Sequence, residues 1–176
     1  ASDSNILHQV SAAELKADQM IKLPIVLRGR PDWKETVRDA LKWLDRLAEI
    51  AASEEALTGE YVRPVMLFQA QPRKAAGAIT PEILKAALID DFIVPAGHIA
   101  IATGTTWELE GHDLAARDCP IRHVITVQAL REGWDNPNVF QICALREMGT
   151  ERERRQTIGR GLRLCVNQDG DRLRGF

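Results

Sequence analysis

Short runs dense in apolar and β-branched residues recur along the chain, and the connections between them carry either turn residues or helical periodicity. The runs are IKLPIVL (Ile21 to Leu27), PVMLFQA (Pro64 to Ala70), HIAIATG (His98 to Gly104), HVITV (His123 to Val127) and VFQICAL (Val139 to Leu145). A strand that alternates polar with apolar residues wets one face. A nearly continuous apolar strand such as PVMLFQA must be covered on both, which is the habit of parallel sheets. Strands of this kind alternating with helices predict an α/β layer structure, mainly parallel, with helices over both faces of the sheet.

The helices announce themselves by spacing and by their caps. Trp33, Val37, Leu41, Leu44, Ala48 and Ala51 recur at intervals of three and four, with Asp32 placed to cap, so an amphipathic helix of several turns starts there. It is expected to fray into the polar string SEEALTGE. A second helix is predicted in TPEILKAALIDDF: Thr80 caps, Pro81 suits the first helical position, and Ile83, Leu84, Ala87 and Leu88 form one face. The chain has 176 residues, 45% of them apolar, enough for one core and short for two. The organisation read from this is an N-terminal strand and amphipathic helix over 1–60 leading into a domain over 61–176. The ends, without obvious caps or tails, read as those of an excised piece.

Several function classes are disfavoured at once. A formal net charge of -2 announces no nucleic-acid or membrane partner, so any such partner has to be argued from local charge. No apolar run is long enough to cross a bilayer and no basic segment leads into an apolar block, so neither a membrane span nor a signal peptide is expected. Cys119, Cys143 and Cys165 form no close pair, which argues against zinc and against a disulfide framework and fits small buried thiols in a reducing cytoplasm. His8, His98, His112 and His123 lack the mutual spacing of a metal site or triad. Asp90 and Asp91 lack the spaced acid-x-Lys of a divalent-metal nuclease and read as a helix end.

In an open parallel sheet, ligands meet the loops that leave the carboxyl ends of the strands. Two such segments carry unusual chemistry. VQALREGWDNPNV (Val127 to Val139) puts Gly133, which allows close backbone approach, beside the carboxylate of Asp135. The same string also reads as Trp134 plugging the core, with Asp135 and Asn136 shaping the turn before Pro137. ERERRQTIGRGLRLCV (Glu151 to Val166) carries Arg160 and Arg163 three residues apart, a spacing that projects both from one helical face. Paired guanidiniums on a rigid element suit an anion with several oxygens, such as a triphosphate. Arg152, Arg154 and Arg155, interleaved with Glu151 and Glu153, read instead as a solvated face.

QTIGRGLR (Gln156 to Arg163) fits the Q-x-x-G-R-x-x-R motif VI of superfamily 2 helicases, REGWDNPNV (Arg131 to Val139) resembles their motif V, and PVMLFQAQPR (Pro64 to Arg73) resembles motif IV. The wording REGWDNPNVFQICAL followed by RRQTIGRGLRLCVNQDGDR is similar to the Res subunit of type III restriction enzymes. The resemblance spans roughly residues 20 to 176 and is most specific in the last third. It implies a single RecA-like domain, the second motor domain of a DNA helicase or translocase.

Residue by residue, the resemblance makes Arg160 an arginine finger toward the γ-phosphate of ATP and Arg163 its companion. Gln156, Gly159, Gly133 and Asp135 fall at positions that face the nucleotide. Gln69, Arg73, Thr103 and Gly104 fall in loops facing the nucleic-acid backbone, and Thr126 and Gln128 are the candidates for a phosphate contact ahead of motif V. The implied cofactors are ATP and Mg²⁺ in the full-length protein, with none bound to this chain alone. The implied partners are an N-terminal RecA-like domain of the same parent, DNA, and a modification (methyltransferase) subunit, with no membrane. The chain has no G-x-x-x-x-G-K-[ST] phosphate loop and no DEAD- or DEAH-type acidic string, so the isolated domain is expected to be inactive. Two other readings stand beside this one: a RecA-like structural or nucleic-acid-binding module without ATP chemistry, and a small-molecule nucleotide enzyme, which the missing G-x-G-x-x-G disfavours.

Overall fold

A computed structural model describes residues 26, 28, 30–72, 77–127, 136, 138–145 and 157. The order of elements is helix α1 (Trp33–Thr58), strand β1 (Val65–Gln69), helix α2 (Pro81–Asp90), a 3-10 turn (Ala96–His98), and strands β2 (Ile99–Ile101), β3 (His123–Thr126) and β4 (Val139–Ala144). Of the expected run 21–27, only Val26 is described. It is exposed and belongs to no strand.

Both helices begin where their caps predict. The Asp32 carboxylate accepts from the Glu35 N–H at 3.0 Å, and the Thr80 hydroxyl accepts from the Ile83 N–H with Pro81 entering the first turn. The polar SEEALT string continues α1 instead of fraying. Charged and polar residues are tolerated on an outward helical face, and the stop comes only at Gly59, whose φ of 80° is the left-handed geometry of a helix C-cap. In α2 the buried residues are Pro81, Leu84, Ala87 and Leu88, whereas Ile83, expected on that face, is half exposed.

The strands form one sheet in the order β2-β3-β1-β4, with every pairing parallel, the α/β class expected from the sequence. β1 lies between β3 and β4, and all five of its residues are buried, as its unbroken apolar run requires. Its side chains divide by parity. Met66 and Phe68 join Val37, Ala40 and Leu44 of α1 and Leu84 and Leu88 of α2 in one core cluster. Val65 and Leu67 face the other way, onto Leu109, Leu114, Cys119 and Ile121. Among the described residues, then, both helices cover one face. The second face is covered by the turns and bends of the segment between β2 and β3, whose backbone is tied by short-range bonds such as Ala116 N to Asp113 O at 3.1 Å.

Asp90 closes α2 and Asp91, just beyond it, pairs with Lys34 at 2.8 Å, which fits the reading of these acids as a helix end. Cys119 and Cys143 are buried free thiols, and burial pushes the Cys143 thiol up to about 12, so it is an inert core residue. Among the described residues no group of acids, histidines and cysteines could hold a metal, and no helix is long and apolar enough to cross a membrane.

Candidate functional site at the carboxyl edge of the sheet

Because all the pairings are parallel, the carboxyl ends of β1, β2, β3 and β4 share one edge. Gln69 ends β1 and Thr126 ends β3, paired in register and both buried. The chain leaving β1 is held on both sides there. The Ala70 N–H donates to Thr126 O at 2.7 Å, and the Leu145 N–H, just past β4, donates to Gln69 O at 2.9 Å. The Gln71 side chain fixes the next step: its amide donates to Leu145 O at 2.9 Å and accepts from the Ile79 N–H at 2.9 Å. The loop that follows β1 therefore leaves and returns through one glutamine, which pins both to the end of β4.

Gln69 makes a contact of longer range. Its side-chain amide donates to the Thr157 hydroxyl at 3.4 Å, and both residues are buried, at 4% and 6% exposure. Thr157 directly follows Gln156 and stands three residues before Arg160. A buried amide is costly without a partner, so this contact fastens Thr157 to the end of the central strand. The side-chain oxygen of Gln69, Oε1, is buried with no partner among the described residues, leaving an acceptor at this edge.

At the end of β2, Thr103 and Gly104 lie in a tight turn. The Thr103 N–H donates to Thr106 O at 2.7 Å, and its hydroxyl accepts from the Thr106 N–H at 3.1 Å. The hydroxyl thus shapes the turn, and the turn is closed below by an isolated antiparallel bridge between Ala102 and Trp107. Glu108, next in line, accepts from the Ile101 N–H at 2.7 Å and pairs with Lys85 at 2.9 Å. Burial opposes its charge, but the Lys85 and Ile101 bonds prevail and hold the carboxyl below its usual range.

Of the residues singled out in the sequence, Gln69 and Thr126 come together as register neighbours, while Thr103 and Gly104 stand at the end of β2, beyond β3. Arg160, Arg163, Gln156, Gly159, Gly133, Asp135, Arg73 and Gln128 lie outside the described residues, as do Cys165 and Trp134. Thr157 and Gln71 were missed by sequence reasoning. Thr157 occupies an unspecified position of the Q-x-x-G-R-x-x-R string. Its one available signal is a small polar residue inside an otherwise charged and glycine-rich string.

His123 opens β3 with its ring 6.1 Å from that of Phe68, and its Nδ1 has no partner among the described residues. Burial, reinforced by the nearby charges of Arg122 and His98, pushes its pKa down from 6.5 to about 4. The folded state therefore favours neutral imidazole. Below pH 6.5 the unfolded chain takes up a proton that the folded chain refuses. Stability is fully present above that pH, declines as pH falls toward 4, and then levels, with about 3 kcal/mol at stake by linkage. Urea denaturation between pH 7 and 4 checks this: the slope is expected to flatten in His123→Gln, and an unchanged slope would remove His123 as its source.

No family model matches the chain. It is similar to the Res subunit of the type III restriction-modification enzyme EcoPI of Escherichia phage P1 and to that of EcoP15I of Escherichia coli. Each is 54% identical over 55 residues, 31% of this chain and 6% of the relative. The Res subunit of StyLTI from Salmonella typhimurium is 52% identical over 52 residues, 30% of this chain and 5% of the relative. The matched stretch thus spans only a small part of each of these curated relatives, yet identity above half over fifty or so residues makes the chain, across about a third of its length, a relative of type III restriction enzyme Res subunits.

Proposed function

We propose that this chain is the second RecA-like motor domain of a Res-type DNA helicase or translocase, completing an ATP site whose phosphate cradle belongs to an N-terminal RecA-like domain of the same parent protein. The observation that supports the reading is the buried Gln69–Thr157 contact, which ties one residue of the Q-x-x-G-R-x-x-R string, Thr157, to the carboxyl edge of an all-parallel sheet in a chain related to Res subunits. That edge is where open α/β sheets meet their ligands.

In this reading Arg160 and Arg163 donate to the γ-phosphate of MgATP, and their charge offsets the negative charge that develops as the phosphoryl group leaves. Gln156 and Gly159 set the approach of that pair, and Gly133 with Asp135 faces the nucleotide from the segment after β3. Gln69, Arg73, Thr103, Gly104, Thr126 and Gln128 line the side toward the DNA backbone. Gln69 has two tasks here, because its amide also holds Thr157. In this reading a modification (methyltransferase) subunit is a further partner.

Arginines without a phosphate loop cannot hold a triphosphate tightly, so the isolated chain is expected to be silent. Purified alone, it should show no MgATP hydrolysis above that of an Arg160→Ala preparation, with or without DNA. Hydrolysis that is present in the wild-type chain and lost in Arg160→Ala would mean that the chain carries a complete ATP site, against the proposal.

A further inference from the structure

At the opposite edge, where the strands begin, Arg63 stands just ahead of β1 and Arg122 just ahead of β3. The pairing of β1 with β3 brings them to one pocket of about 250 Å³, walled by Ala48 and Ala52 of α1 and by Tyr61 and Val62. Arg63 is rigidly placed: its two terminal nitrogens donate to Ala116 O and Ile121 O, each at 3.2 Å. Its Nε–H is buried and has no partner among the described residues, and neither has Nη2 of Arg122.

Among the described residues no carboxylate forms an ion pair with either guanidinium. Glu55, on the same wall, is taken up by Arg117 at 2.6 Å, and Arg117 also stacks over the Tyr61 ring at 4.0 Å. Asp45 acts on Arg122 only through space. Burial lowers the Arg122 pKa, and the like charge of Arg63 adds to that. Two guanidiniums sharing a part-buried pocket, with N–H groups unspent and the acid of the pocket wall, Glu55, engaged by Arg117, make an anion seat.

We propose that this pocket receives a carboxylate on an aliphatic stem, the side chain of an Asp or Glu from a protein segment packed against the amino-terminal edge of the sheet. Wall chemistry selects that anion. Each terminal nitrogen of Arg63 gives one N–H to a carbonyl, and its Nε–H and the Arg122 guanidinium remain to meet the oxygens of an anion. The walls of Ala48, Ala52 and Val62 offer apolar surface to methylene groups, which a phosphate lacks. The seat is independent of the nucleotide reading, since it lies at the other end of the strands from Gln69 and Thr157, and its test involves no ATP.

The test is a titration of the full 176-residue chain, ¹⁵N-labelled, followed by the arginine Nε–H resonances in NMR. The probes are N-acetylglutamate N-methylamide, glutarate and inorganic phosphate at constant ionic strength. Expected is a saturable shift of the Arg63 and Arg122 signals with the glutamate probe, at least about tenfold tighter than with phosphate. It should be lost in Arg122→Gln and weakened in Arg122→Lys, which keeps the charge but not the fork. The absence of saturable shifts in the wild-type chain overturns the proposal, as does tighter binding of phosphate. Glutarate binding about tenfold tighter than the glutamate probe would make the seat one for a free dicarboxylate, and the side-chain assignment would fall. The wild-type titration decides even where a variant fails to fold.

Discussion

Phe68→Ala is expected to lower the stability of the chain by about 3 to 5 kcal/mol, a large share of what a domain of this size possesses. Phe68 has no exposed surface and sits at the centre of the sheet, in the strand flanked by β3 and β4. Its ring faces the cluster built from Val37, Ala40 and Leu44 of α1 and Leu84 and Leu88 of α2, so truncation opens a cavity that helices on one side and a sheet on the other cannot both close. Chemical denaturation with an unchanged dependence on urea measures the loss. A change below about 1 kcal/mol would mean that this face of the sheet is not the shared core of both helices.

The second large effect concerns chemistry. In the complete protein, Arg160→Ala should reduce DNA-stimulated ATP hydrolysis by roughly 10³-fold or more, the scale on which arginine fingers act in other phosphoryl-transfer systems. The loss should fall on kcat more than on KM for ATP, because in the proposed function the guanidinium meets charge that grows toward the transition state. Arg160→Lys should recover little of it, since a lysine brings charge without the planar fork. An unchanged ATPase in Arg160→Ala would favour the non-catalytic RecA-like module.

Local chemistry was readable in the sequence wherever one residue type answers one local need. Asp32, Thr80 and Pro81 mark helix starts because only a few side chains satisfy the free N–H groups of a first turn. The uninterrupted run Val65 to Phe68, of strand length, reads as a strand covered on both sides, and it is one. Long-range arrangement was not readable in the same way. That β3 inserts between β2 and β1 depends on pairings across dozens of residues, which no local pattern encodes. The covering of the second face was also hidden. Leu109, Leu114, Cys119 and Ile121 have neither helical nor strand period, yet all four bury against Val65, Leu67 and their neighbours. The continuation of α1 to Thr58 escaped for a simpler reason: a polar string on a solvated helical face looks like a loop until its C-cap, Gly59, is located.

At the candidate site the same division holds. Gln69 was identifiable as a polar residue at the end of a buried strand. Its partner Thr157 was not, because the contact joins positions 88 apart in the chain. The basic pocket at the other edge was equally illegible, since Arg63 and Arg122 become neighbours only through the pairing of β1 with β3.

The most direct measurement is photo-crosslinking of the complete protein with an ATP analogue that carries an aryl azide on its γ-phosphate, followed by mass spectrometry of the labelled peptides. If the guanidiniums of this domain reach a nucleotide held elsewhere, label will be recovered within residues 156–163 and will disappear when unmodified ATP competes. Label confined to parts of the protein outside this chain, with 156–163 recovered unmodified at full nucleotide occupancy, would contradict the account.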